Sequence, residues 1–159
     1  MGKVLNTFTN GWPGAIARSI DDIVIAMANL SDQPIKYGMP VALDPERKGI
    51  VPFDGSSHEA ADFLGVSVRA PAKTPDAYGS SEGSYASGDL VDVLVRGHIV
   101  VNLTRGIPEL GDTVGIEKAT GCFASATGQD YVTVPNARFS SVRDSDKMAE
   151  IVLLERNVL

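Results

Sequence analysis

The sequence predicts an all-β fold, an antiparallel β-barrel or sandwich with an extended N-terminal arm and long loops. Three observations carry that prediction. Residues 90–103 alternate apolar and polar side chains with period two, the mark of a half-buried strand. Sixteen glycines and nine prolines are spread along 159 residues and break the chain into short segments. The apolar runs between these turn-forming clusters are short and lack a sustained helical stripe.

The elements follow in chain order. Residues 1–19 read as an extended arm because neither period is sustained there, and residues 20–159 read as a single β-barrel-like domain. Within the arm, "TNGWPGAIAR" holds a turn at Trp12-Pro13-Gly14, where proline presets φ and glycine accepts the left-handed position. Residues 20–29 admit two readings. Ile16, Ile20, Ile23, Val24 and Met27 fit a helical face, while Ile23, Ile25 and Met27 fit a strand. The β-branched density over residues 23–25 favours the strand. Further strands are expected at residues 35–43, 50–53, 63–69, 90–103, 113–118, 131–134 and 149–155. "GDLVDV" and "GDTVGI" each place Gly-Asp before a Val-x-Val/Ile run, as turns that open strands do. The stretch 71–88 is rich in Ser, Gly and Pro and reads as a long loop.

The cleanest strand surrounds Arg96-Gly97-His98. Val91, Val93, Val95, Ile99, Val101 and Leu103 share one parity. Asp92, Arg96, His98 and Asn102 share the other, mixed with Leu94 and Val100. A two-residue hairpin at Gly97-His98 would set Val93 opposite Asn102 and mix the faces. A continuous strand bent at Gly97 keeps them pure, as does a three-residue loop over residues 96–98. The bent strand is preferred, since mid-strand glycine marks a bulge or barrel corner.

Composition removes several function classes. The formal net charge is −6 and the basic residues are scattered, with "PERKG" the only tight pair, which argues against nucleic acid as a partner. No apolar run approaches the ~18 residues of a membrane span, and "MGKVLNTFTNGW" lacks a signal-peptide core, so no membrane partner is expected. Cys122 is the lone cysteine, which rules out an internal disulfide and a metal site built from thiols; it reads as a small packing residue.

Candidate chemistry is thin. "GSSEG" (residues 79–83) matches G-x-S-x-G with Ser81 in the nucleophile position. It sits in the serine-rich loop, however, and the motif needs a strand before it and a helix after it. "HEAAD" begins like a zinc helix but ends in Asp62, leaving His58 without a third ligand; a polar turn is the simpler reading. His98, on the polar parity, reads as solvated or paired across strands. Arg69 and Arg96 each close an apolar segment, and a ring of such arginines suits a carboxylate on a partner. "NLS" at Asn29 and "NLT" at Asn102 match the glycosylation pattern by chance. No catalytic residue, metal or cofactor is expected, and the chain reads as a non-enzyme.

The order of motifs adds a resemblance. "NGWPGAIARS", "YGMPVALD", "DFLGVSVR", "YASGDLVDVLVRGHIVVNL", "GDTVGIEKATGCF", "VPNARFSS" and the terminal "AEIVLLE" follow one another over about residues 11–154. In this order they resemble the capsid cement, or head decoration, proteins of tailed bacteriophages. The resemblance implies a virion structural protein that binds the outer surface of the capsid and clamps neighbouring capsomers. It implies the major capsid protein as partner, a homo-oligomer (dimer or trimer), synthesis in the host bacterial cytoplasm and a final place on the capsid exterior. The family has no catalytic residues to transfer. Phe8, Trp12, Pro13 and Arg18 of the arm are the candidate capsid or subunit contacts, because aromatic anchors supply much of an interface's energy. The alternative of a different class is a small-molecule or carbohydrate-binding β-barrel, with a hydrolase acting through Ser81 as one form of it. One Trp, four Tyr and five Phe provide few aromatic platforms for a sugar.

Overall fold

The computed structural model describes residues 9–44, 46, 48–70 and 83–155, apart from the side chains of residues 19 and 20. Among the described residues the regular structure is strand, with one 3-10 turn at Ala60–Asp62 and no α-helix. The strands are β1 (Ile16–Ala28), β2 (Ile35–Lys36), β3 (Pro40–Asp44), β4 (Gly49–Pro52), β5 (Phe63–Ser67) and β6 (Ser84–Tyr85). They continue with β7 (Leu90–Arg105), β8 (Thr113–Glu117), β9 (Phe123–Ala124), β10 (Tyr131–Phe139) and β11 (Met148–Leu153).

Five of these close a ring. β7 pairs with β11, β11 with β10, β10 with β8 and β8 with β9, all antiparallel, and β9 returns to β7 in parallel through Leu103 and Phe123. This is the barrel core. The other half of β7 carries a second group: β1 along one edge, and β5, β3 and β4 in succession from the other. A single bridge between Asn29 and Ile50 joins the end of β1 back to β4.

β7 therefore belongs to both groups, and Gly97 is where it passes between them. On one edge its neighbour changes from β5, paired at Val93 and Leu94, to β11, paired from Gly97 to Asn102. On the opposite edge β1 spends residues 19–22 as a bulge between the pairs Arg18–His98 and Ile23–Arg96. Gly97 has φ +118° at this point, a conformation side chains with a Cβ rarely adopt. The six apolar residues on the expected parity are all buried. They divide at the bend: Val91, Val93 and Val95 enter one cluster with Val41, Ile50 and Leu64, whereas Ile99, Val101 and Leu103 enter the barrel core. Leu94, on the opposite parity, also reaches the barrel core, so β7 is covered on both faces at that residue, while Leu90 and Asp92 on the same parity stay exposed. The barrel core is tied to the 3-10 turn region by edge-to-face rings, Phe53 on Phe63 at 6.3 Å and Phe63 on Phe123 at 6.5 Å.

Residues 20–29 are strand, as the β-branched density favours. The expected segment 35–43 is divided at Gly38 into β2 and β3. The segment 131–134 continues to Phe139 through Pro135. That proline sits in the register shift between Val134 and Arg138, where a missing N–H breaks no ladder bond. Asn29, in the first of the chance glycosylation patterns, is fully buried. Its amide donates to the carbonyls of Gln33 and Ala86, and its oxygen accepts from Ser31.

Candidate functional site

The Trp12-Pro13-Gly14 turn is fastened to three elements at once. Gly14 donates to Val100 O at 2.8 Å and Val100 donates to Ala15 O at 3.0 Å, fixing the turn on β7. Arg69 N–H, just after β5, donates to Gly14 O at 2.8 Å. Gly14 packs on Gly38 backbone to backbone: a Cβ on Gly14 would lie 2.9 Å from Gly38 N, and one on Gly38 would lie 2.9 Å from Pro13 Cβ. "WPG" and "YGMP" thus need their glycines for one shared contact. Upstream, Asn10 donates from its backbone to Asp144 and from its side chain to the carbonyls of Val142 and Met148.

This places the candidate contact residues. Trp12 is 44% exposed on a mounted turn, with the Arg69 guanidinium 5.5 Å from its ring centre. The same guanidinium lies 5.8 Å from the ring centre of Tyr37, so the two aromatics share one cation. Pro13 is buried against Gly38. Arg18 pairs with Glu150 of β11 at 3.0 Å, and Glu150 also accepts from the Ser140 hydroxyl. Phe8 lies outside the described residues, and the expected arm boundary at residue 19 falls inside β1.

A trough starts beside this turn. Its first part, about 470 Å³, is walled by Pro13, Tyr37 and Met39. A second part of about 370 Å³ shares Lys36, Met39 and Asn102 with the first and runs on past Thr104 towards Pro52 and Cys122. No local pattern marks it, because β2, the β2–β3 turn and β7 meet only in the fold. Exposed apolar residues at one barrel end were also unanticipated. Ile107 and Leu110 in the β7–β8 loop and Val142 in the β10–β11 loop are 75%, 73% and 59% exposed. The two loops meet where Gly111 donates to Phe139 O.

The residues singled out for chemistry do not converge. Asp54 N–H donates to His58 Nδ1 at 2.9 Å, so His58 is held within a polar turn. In that turn the Ser56 amide, followed by the Ser57 hydroxyl, holds the Asp54 carboxyl below its usual range. Asp62 caps the Glu59 N–H. Ser81 lies outside the described residues; the segment after "GSSEG" is the short strand β6, whereas the nucleophile elbow needs a helix there. Among the described residues no three His, Cys, Asp or Glu side chains are grouped to hold a metal. Cys122 is half-buried, and its thiol contacts Thr120 O. Arg105 and Glu117 pair at 2.7 Å, with the Thr120 hydroxyl donating to the second oxygen of Glu117.

A closed β-barrel core extended by further strands of the same sheet, with Trp12, Ile107, Leu110 and Val142 presented on its surface, defines the class: an all-β barrel protein. The family model described as structural cement protein (E217 gp24/Pam3 gp6) matches residues 3–154, and the chain belongs to that bacteriophage family. A solved chain from "The capsid of Myoviridae Phage XM1" has a similar fold. Its TM-score is 0.74 at 14% sequence identity, covering 98% of this chain and 96% of that one. No curated protein matches the sequence. Membership of that family gives the chain the role of a structural protein of the bacteriophage particle.

Proposed function

We propose that this protein binds the outer surface of the assembled capsid and clamps neighbouring capsomers, with the major capsid protein as its partner. It acts without catalysis, as a homo-oligomer (dimer or trimer), and reaches the capsid exterior after synthesis in the host bacterial cytoplasm. The arm of residues 1–19 supplies contacts through Phe8, Trp12, Pro13 and Arg18, and the domain of residues 20–159 supplies the rigid body behind it. Trp12 carries this reading: a large aromatic is left 44% exposed on a turn fastened to three elements. Aromatic anchors of this kind dominate interface energies. Each bound copy stabilises the shell by mass action, and a symmetric lattice repeats the gain.

The test uses purified shells that lack this protein. Trp12→Ala should leave the melting temperature near that of the wild type and weaken shell binding about tenfold or more, the range of a truncated anchor. Unchanged binding by Trp12→Ala would remove the arm turn from the interface.

A further inference from the structure

The trough beside the arm turn has a chemistry opposite to that of the chain. The protein carries 20 Asp and Glu against 14 Lys and Arg. Yet among the described residues lining both parts of the trough, the only charged one is Lys36, and no carboxylate lines it. Lys36 lies on β2, paired with Ser84 of β6, and its exposed side chain stands on a fixed backbone because its carbonyl accepts from Ser67 Oγ at 2.6 Å. The Arg69 guanidinium lies 5.8 Å from the ring centre of Tyr37, one of the trough walls.

The rest of the lining is apolar or a neutral hydrogen-bonding group. Pro13, Tyr37 and Met39 offer apolar walls, while Ser84, Asn102 and Thr104 offer donors and acceptors along the length. The two parts are continuous, which suits an extended chain whose backbone needs partners at intervals and whose side chains need apolar walls.

We infer that this trough receives an extended segment of the capsid subunit carrying a carboxylate, which pairs with Lys36 beside the Trp12–Arg69–Tyr37 stack. The inference rests on the cement reading above and names the chemistry of its partner. Charge complementarity argues for this occupant: a carboxylate placed at Lys36, the one charge among the described lining residues, forms a pair shielded by Met39 and Pro13, and the capsid subunit is the partner that the cement reading supplies.

The experiment combines shells lacking this protein with the full chain and with Lys36→Glu, Lys36→Met and Met39→Glu. It reads affinity at several salt concentrations and hydrogen exchange over residues 34–39 and 102–104. The expected result is protection of both segments on shell binding. Lys36→Glu should lose tenfold or more in affinity, Lys36→Met should lose less and show a shallower salt dependence, and all three variants should melt near the wild type. Wild-type binding to shells with equal affinity for Lys36→Glu and no protection of the trough would overturn the inference while leaving the cement reading intact. Protection that grows with protein concentration in the absence of shells would assign the trough to a second copy. Failure of the wild type to bind shells would overturn both readings.

Discussion

Replacing Gly97 with alanine tests the central feature of the fold, one strand shared by two packed groups. The backbone there has φ +118°, and holding a residue with a Cβ in such a region costs on the order of 1–3 kcal/mol. The added Cβ would overlap Asp22 Oδ1 and would lie 2.9 Å from its Cγ and 3.1 Å from its Cα. The carboxylate can swing away but the Cα cannot, because it belongs to the bulge that β1 needs to follow the bend. Overpacking of this kind adds roughly 1–3 kcal/mol. Together these predict a loss of about 2–6 kcal/mol, and a protein of this size loses roughly 2–4 °C in Tm for each kcal/mol. A fall of about 10 °C is therefore expected in thermal unfolding of the full chain. The double variant Gly97→Ala with Asp22→Ala should recover the part due to the Asp22 carboxyl group and leave the parts due to its Cα and to φ. A glycine in ordinary strand geometry would respond in the opposite direction, since alanine there stabilises by about 0.4–1 kcal/mol through the unfolded chain. A melting temperature equal to or above the wild type, or full recovery in the double variant, would refute the reasoning.

Two further outcomes follow from burial. Val93 is fully buried in the smaller cluster, opposite Ile25 on one side and Ser67 on the other, so Val93→Asp puts a carboxylate where no cation meets it. The expected cost is about 3–5 kcal/mol, a large share of a typical 5–15 kcal/mol, while Asp92→Ala on the exposed face should stay within ~0.5 kcal/mol in the same urea titration. Tyr85 is fully buried with its hydroxyl donating to Val68 O at 2.7 Å, and burial pushes its pKa from 10.0 to about 12. The folded state then holds a proton that the unfolded state releases. This stabilisation is intact below pH 10 and is lost as pH rises towards 12, by up to roughly 2–3 kcal/mol. Urea unfolding between pH 9 and 12 should show that decline in the wild type and a flatter one in Tyr85→Phe; equal slopes would assign the decline to other groups.

What the sequence made legible was the part governed by local periodicity. The long strand was readable because residues 90–103 alternate on both sides of Gly97; face purity excluded a two-residue hairpin but not a three-residue loop over residues 96–98, and the mid-strand glycine favoured the bend that the structure shows. The division of that alternation between two cores was not readable: it depends on which strand lies on either edge, β5 before the glycine and β11 after it. β6 and β9 escaped because two-residue strands carry no period; β6 forms by pairing with Ile35 and Lys36, and β9 by pairing with both β7 and β8. Pro135 hid the second half of β10, since proline argues against a central strand unless a register shift accommodates it. Trp12 was legible as a candidate contact by its residue type beside a Pro-Gly turn. The trough was not, because its walls come from β2, the β2–β3 turn and β7.

The placement of the arm turn changes the energetics of the proposed contact. Read from sequence, an aperiodic N-terminal segment gives up chain entropy at the moment it binds, and its aromatic residues must offset that cost. From Asn10 onward, the hydrogen bonds to Asp144, Val142, Met148, Val100 and Arg69 order the backbone when the domain folds. Trp12 is thus presented by a turn that clips the second half of β7, the β2–β3 turn and the end of β5 together, the junction where both packed groups meet. A partner that covers its ring gains apolar burial against a surface already in place, the condition under which a given contact area yields the most affinity. Asn10→Ala, which removes the side-chain bonds to Val142 and Met148, therefore bears on affinity through order rather than through contact area.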